Sequence, residues 1–516
     1  MKKLPIGIQT FSSLIEENYL YIDKTKNIYK LFAEGGKYYF LSRPRRFGKS
    51  LLISTLKEIF SGNKELFKDL WLYDKIQWAK HPVIHLDFLG MEYGSRAELI
   101  KSLEFMVNQN AQNYGIKLKE KGYDKKFNEL IRQLAKKEKV VILIDEYDKP
   151  IINHIDKPEI AMENRNTLRT FYETIKGADE FLEFVFITGV SKFSKVSLFS
   201  GLNNLDDITI DETYSTMLGY TQEELLHYFK DRLDALAQEG EKEQWLQDIK
   251  TWYNGYSWDG KNFVYNPYSV LLFFQKRRFG NYWFETGTTT FLIKAIKKYH
   301  VDVTQLEHYK AGEAIFESFD IERMNVASLL FQTGYLTIRE VELIDRTRRL
   351  YILSYPNQEV KESLLEHILG EFSACFANDI SVIVHELKKT LNEDKIDKFF
   401  EILKSLFAKI PYDMFIKERE GYYQTVIYLL LVLIGIDINT EVETNTGRLD
   451  AVIETAAYIY IMEFKMGTAE SALKQIRDKK YYQPYLTSGK PVKLIGVGFD
   501  REERNIKDFV LHRQSK

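Results

Sequence analysis

Tyr38-Tyr39-Phe40-Leu41-Ser42-Arg43-Pro44-Arg45-Arg46-Phe47-Gly48-Lys49-Ser50 decides how the rest of the chain is read. The apolar run at Tyr38–Leu41 is that of a buried strand. Beyond the loop, Leu52, Leu56 and Ile59 fall on one face of a helix. Strand, tight loop, Gly-Lys-Ser, helix is the arrangement that receives the phosphates of ATP or GTP. Loop N–H groups and the positive helix end face the anion. In that arrangement Arg45, Arg46, Phe47 and Gly48 wrap the phosphates, and Lys49 reaches the β- and γ-phosphates. Ser50 places its hydroxyl on Mg²⁺. The pattern G-x-x-x-x-G-K-[ST] asks for glycine where Arg43 stands, so this loop must turn without its most permissive residue.

A second stretch supports the first. Val140-Val141-Ile142-Leu143-Ile144-Asp145-Glu146 is a β-branched buried strand tipped by two acids, the Walker B pattern. Asp145 would hold Mg²⁺ through water, and Glu146 would polarise the attacking water. Phe181–Gly189 is a further buried strand whose end, Thr188 to Lys192, is polar. Thr188 and Ser191 are candidates to sense the γ-phosphate or the attacking water. Arg165 and Arg169, on the helix between, are candidate arginine fingers, although surface helix arginines are commoner.

Ser42–Ser50, Leu143-Ile144-Asp145-Glu146-Tyr147-Asp148-Lys149-Pro150 and Phe186-Ile187-Thr188-Gly189-Val190-Ser191-Lys192-Phe193 together resemble the bacterial AAA-ATPase-like family. The resemblance covers nearly the whole chain. It implies that Arg43 in place of glycine is normal, that the segment before Tyr38 lies beside the nucleotide, and that residues 252–271 belong to a helical lid. Members often carry a C-terminal PD-(D/E)XK nuclease-like domain.

The C-terminal residues bear that implication out in their own chemistry. Arg448-Leu449-Asp450-Ala451-Val452-Ile453-Glu454, a turn, and Tyr458-Ile459-Tyr460-Ile461-Met462-Glu463-Phe464-Lys465 read as a strand pair. Period-two alternation puts Glu463 and Lys465 on one face, where Asp450 can meet them. Asp450 and Glu463 would hold Mg²⁺, which lowers the pKa of a bound water. Lys465 would orient or help deprotonate that water. A helix at about Gly421–Leu433 precedes the pair, with Glu420 at its start, and Gln475 and Tyr481 follow on another helix. These match further positions of the nuclease superfamily. From Leu473 to Lys516 there are eleven Lys plus Arg against five Asp plus Glu, a surface suited to phosphate backbones.

Between the two sites the signals are weaker. His81, His85 and Asp87 tempt a metal reading, but ordinary strand residues explain them better. Ile208–Asp211 reads as a short strand. Asn266-Pro267-Tyr268-Ser269 reads as a helix cap and first turn. Val326–Ile338 and Leu350–Pro356, separated by the charged stretch Arg339–Arg349, resemble a winged-helix unit. Such units bind DNA or serve as packing modules.

Composition narrows the classes. The 516 residues predict about three domains. With 45% hydrophobic and 28% charged residues the chain is an ordinary globular one, and its net charge of −2 names no partner. The single cysteine, Cys375, excludes an intramolecular disulfide and suits a buried apolar position. Met1–Gly7 has no apolar signal core, and the most apolar run, Val426–Ile436, is too short to span a bilayer. The cytoplasm is the expected compartment.

The expected fold is therefore α/β: a P-loop NTPase parallel sheet with a helical lid, a winged-helix-like connector and a C-terminal restriction-endonuclease-like α/β domain. The corresponding ranges are 1–215, 216–285, 286–390 and 391–516. The expected function is ATP binding and hydrolysis that controls a Mg²⁺-dependent phosphodiesterase acting on nucleic acid, DNA favoured, with no membrane and with homo-oligomerisation left open. The alternative is an NTPase signalling switch whose C-terminal nuclease-like domain only binds nucleic acid or protein.

Overall fold

A computed structural model describes the chain except residues 34, 193–197, 199–201, 203, 237–240, 285–291, 294, 297–298, 300, 317–324, 374–376, 410–420, 435–436, 445–446, 501, 504 and 514–516. The side chains of 304, 372, 377–378, 421–425, 437–444 and 447–450 also lie outside it. Cys375, Glu420 and the Asp450 side chain therefore fall outside the described residues. The chain forms two compact units, residues 1–301 with 305–361, and residues 302–304 with 362–516.

The first unit is built on a parallel sheet of β1 (Tyr38–Ser42), β2 (Val83–Asp87), β3 (Val140–Asp145), β4 (Leu182–Gly189) and β5 (Asp206–Asp207), in the order β2-β3-β4-β1-β5. Strands β1 and β3 are buried at every position, as strands with helices on both faces must be. β4 lies between β1 and β3, pairing Leu41 with Thr188 on one side and Ile144 with Ile187 on the other. The P-loop and the acids of β3 thus lie at the same carboxyl end of the parallel strands, with one strand between them. The β-branched run Ile208–Asp211 predicts a short strand. Pairing with β1 instead falls on Asp206 and Asp207, and the chain turns at Thr209 and Ile210. The turn is where Thr209 is needed, because its hydroxyl accepts from the Ser42 N–H at 3.1 Å.

Two helix starts after the parallel sheet are fixed by side-chain caps. Thr221 and Glu224 form a reciprocal capping box for helix Gln222–Tyr228. Asn266 accepts from Ser269 N–H at 3.1 Å, and Pro267 occupies the first turn of helix Pro267–Lys276. Further along, β6 (Tyr309–Ala311), β7 (Thr337–Leu343) and β8 (Arg349–Ser354) form an antiparallel sheet in the order β6-β8-β7. Helix Val326–Thr333 lies between β6 and β7 in sequence and is buried from Val326 to Gln332. It therefore offers no open face to a nucleic-acid groove.

The second unit carries the sheet β13-β12-β11-β10-β9, with β9 at Asp437–Thr444, β10 at Gly447–Glu454, β11 at Ile459–Met466, β12 at Val492–Asp500 and β13 at Asn505–Arg513. Only β11 and β12 run parallel, and helix Ala469–Asp478 is their crossover. Ile459, Ile461, Leu473 and Ile476 join one apolar cluster, so this helix covers the sheet face that carries the odd-numbered residues of β11. Among the described residues no helix is long and apolar enough to cross a membrane.

Candidate nucleotide and nuclease sites

Lys49 begins the helix Lys49–Phe60, and Gly48 precedes it at φ +91°, a conformation that only glycine adopts without strain. A Cβ at Gly48 would meet nothing within 4 Å, so the loop is open on that side. Lys49 is 6% exposed, and its ammonium donates to Arg43 O at 3.0 Å and Pro44 O at 2.9 Å. Burial lowers its pKa, and the charges of Asp145, Glu146 and Asp148 oppose that shift. The Ser50 side chain lies near enough to the Asp145 carboxylate to hold its pKa down. Burial raises Asp145 to about 6, against the pull of Ser50 and Lys49. The hydroxyl of the loop and the acid of β3 therefore lie close together, as a shared Mg²⁺ between them requires.

The loop is held from outside by residues far away in sequence. Arg43 is fully buried. Its guanidinium donates to Ser42 O at 2.8 Å, Thr209 O at 2.7 Å and Tyr214 O at 3.3 Å, and lies 3.9 Å from the Trp258 ring centre. Burial pulls it down to about 9, with Asp207 and Asp259 opposing. A glycine at this position could make none of these contacts. The arginine turns its side chain away from the cradle and ties the strand end to the Thr209–Tyr214 segment. Phe47 packs edge-on to Tyr256 and Trp258 at 4.7 and 5.5 Å. Trp283 donates its indole N–H to Arg45 O at 3.0 Å, and Arg46, at φ +64°, lies over Tyr268. A Cβ on Gly334 would strike Pro44 at 2.6 Å.

One cavity of about 1170 Å³ opens above the loop. Its walls include Gly7–Gln9 and Tyr21–Ile22 of the leading segment, Met217–Tyr220, and the loop itself with Glu146 and Lys149. Lys24 joins the leading segment to helix Gln222–Tyr228 through Glu224 at 2.6 Å. Of the candidate sensors, Thr188 donates its hydroxyl to Leu41 O at 2.8 Å inside the sheet. Ser191 donates its N–H and hydroxyl to Asp148 at 2.6 and 2.8 Å. Arg169 is half-exposed and pairs with Glu173, and neither it nor Arg165 lines the cavity. His81 reaches Lys139 O, and His85 Nε2 is buried without a hydrogen bond. Among the described residues no three metal-ligating side chains converge.

In the second unit Glu463 is 3% exposed and accepts from Gln475 Nε2 of the crossover helix. Register places Gly496 beside Glu463 and Gly498 beside Lys465. A Cβ on Gly496 would meet Ala469 O at 2.2 Å, and one on Gly498 would meet Gly467 O at 2.6 Å. These glycines let the helix lie against β12, and that approach brings Gln475 to Glu463. Asp450 belongs to β10, directly before Ala451, the partner of Met462. Its backbone is thus abreast of Glu463. Tyr481 is buried in the same cluster as Leu473 and Ile476.

The sheet order and the loop define a P-loop nucleotide-binding unit, followed by a unit built on a mixed five-stranded sheet. Comparison with known proteins agrees. Residues 5–199 match the AAA-ATPase-like family, described as a predicted AAA-ATPase, and residues 418–509 match the PD-(D/E)XK nuclease superfamily. A protein of Azotobacter chroococcum mcd 1, described as an uncharacterized protein in the vnfD 5' region, is 41% identical over 523 residues, covering 99% of each chain. The chain belongs to the AAA-ATPase-like family and carries a C-terminal PD-(D/E)XK nuclease superfamily domain.

Proposed function

We propose that this protein binds and hydrolyses ATP at the Arg43–Ser50 loop and that its nucleotide state controls a phosphodiesterase at Asp450, Glu463 and Lys465. The observation that carries the first half is the closeness of Ser50 to Asp145 under an open loop whose lysine is within reach of an anion. Lys49 exchanges the Arg43 and Pro44 carbonyls for phosphate oxygens, gaining charge-assisted hydrogen bonds in a buried setting. Arg45, Arg46, Phe47 and Gly48 shape the cradle, and the leading segment and lid enclose the base. Glu146 accepts the proton of the attacking water. A divalent ion, when bound, neutralises phosphate charge at Ser50 and Asp145, and acidifies water at Asp450 and Glu463.

In the second unit Gln475 fixes the Glu463 carboxylate, and Lys465 lies two residues along the same face, placed to orient a water. The basic excess after Leu473 supports a nucleic-acid substrate, with DNA favoured. The ATP half is tested by following ATP binding and turnover in the full chain beside Glu146→Gln. Glu146→Gln is expected to retain bound ATP while turnover falls by about 10²–10⁴. Unchanged turnover would remove Glu146 from its role.

A further inference from the structure

Among the described residues five cationic side chains line the cavity: Lys24, Arg45, Arg46, Lys49 and Lys149. Lys24 is tied to Glu224, Arg46 lies over Tyr268, Lys49 is the loop lysine, and Arg45 sits close enough to Lys49 to depress its pKa. Lys149 is different, because it holds the proposed base. Its ammonium lies 2.8 Å from Glu146 Oε2, with both side chains roughly a quarter exposed to the cavity.

The backbone around this pair is fixed. Glu146 has φ +52°, a left-handed conformation unusual for a non-glycine residue. Tyr147 N–H donates to Thr188 O at 3.2 Å, and the Tyr147 hydroxyl donates to Ser191 O at 2.9 Å. Asp148 accepts from Val190 N–H, Ser191 N–H and the Ser191 hydroxyl. A Cβ on Gly189 would strike Asp148 and Tyr147 at 2.5–2.6 Å, so β4 presses directly on the turn. The Glu146 and Lys149 side chains reach past this held backbone into the cavity.

We propose that Lys149 recognises the γ-phosphate of ATP and, without it, withholds Glu146 from catalysis. This rests on the ATP-hydrolysis reading above and extends it. In the empty or ADP-filled site the ammonium neutralises Glu146. With ATP in place the more highly charged γ-phosphate draws Lys149 across, and Glu146 becomes free to act. Glu146 then accepts a proton from water as the water oxygen bonds to the γ-phosphorus. The bond from that phosphorus to the β–γ bridging oxygen breaks, and ADP leaves with the electron pair. Loss of the γ-phosphate returns Lys149 to Glu146.

Binding rather than turnover tests this, with the full chain, Mg²⁺, AMP-PNP and ADP titrated by calorimetry. Lys149→Met alone is ambiguous, since it also leaves Glu146 as a bare negative charge near the phosphates. The decisive comparison is Glu146→Gln against Glu146→Gln/Lys149→Met, in which that charge is already gone. The double variant is expected to bind AMP-PNP about tenfold or more weakly than Glu146→Gln, with ADP affinity within twofold. Glu146→Gln/Lys149→Arg should keep the preference for AMP-PNP. Equal AMP-PNP affinity for Glu146→Gln and the Met double variant would overturn the role of Lys149 alone. A wild-type protein that binds neither nucleotide would overturn the ATP reading and this role with it.

Discussion

Arg43 is the residue at which this loop departs from the general pattern, and its surroundings explain the departure. It donates to three carbonyls and stacks on Trp258 with no exposed surface. Arg43→Met keeps the bulk and abandons those acceptors, so about 2–4 kcal/mol of stability should be lost. Denaturant unfolding followed by tryptophan fluorescence measures it; a loss below about 0.5 kcal/mol would contradict the anchoring role. His85 gives a pH-dependent counterpart. Burial lowers it from its ordinary 6.5 to about 4, so the folded chain prefers the neutral ring. Its contribution is full above about pH 6.5 and is lost as pH falls toward 4, on the order of 3 kcal/mol. Replacing His85 by Gln should flatten that part of the stability profile, measured by denaturant unfolding between pH 4 and 7. The nearness of Lys49 and Ser50 to Asp145 is foreseeable from sequence because the motif spacing is itself the signal. The tasks of Arg43 and Lys149 are not. The acceptors of Arg43 at Thr209 and Tyr214 lie more than 160 residues away, and the pairing of Lys149 with Glu146 accompanies a left-handed turn that no residue type announces.

At the scale of elements, the loop is shaped by what packs behind it. Gly334 ends helix Val326–Thr333 at φ +90° and touches Pro44 where any side chain would collide. Gly334→Ala is expected to displace Pro44 and weaken nucleotide binding at least several-fold, although Gly334 touches no phosphate site. A titration of ATP against this variant checks the point, and unchanged affinity would separate the helix from the loop. In the second unit the equivalent device is the pair Gly496 and Gly498. Gly496→Ala should push helix Ala469–Asp478 outward and pull Gln475 from Glu463, costing both stability and any cleavage activity. The strands themselves are legible: apolar runs mark β1, β3 and β4, and β11 follows from the Tyr458–Lys465 run, where alternation puts Glu463 and Lys465 on one face. The Ile208–Asp211 strand was misplaced because a β-branched run resembles a strand even where the chain turns to bring Thr209 to Ser42 and Arg43. The crossover helix was visible as a helix, but its close approach depends on glycines opposite Glu463 and Lys465, a register that only pairing reveals.

At the scale of the whole molecule, one chain joins a nucleotide site whose loop is clamped by distant aromatics to a nuclease-type sheet. In the proposed reading the nucleotide site governs the nuclease-type sheet. The most direct test of this reading is cleavage of plasmid DNA by the full chain with Mg²⁺, in the absence of nucleotide, with ATP and with AMP-PNP, beside Lys465→Ala and Lys49→Ala. Cutting is expected to be abolished by Lys465→Ala, and its dependence on nucleotide to disappear in Lys49→Ala. Cutting by the wild-type chain at the same rate in all three nucleotide conditions would contradict the reading, as would cutting that survives Lys465→Ala.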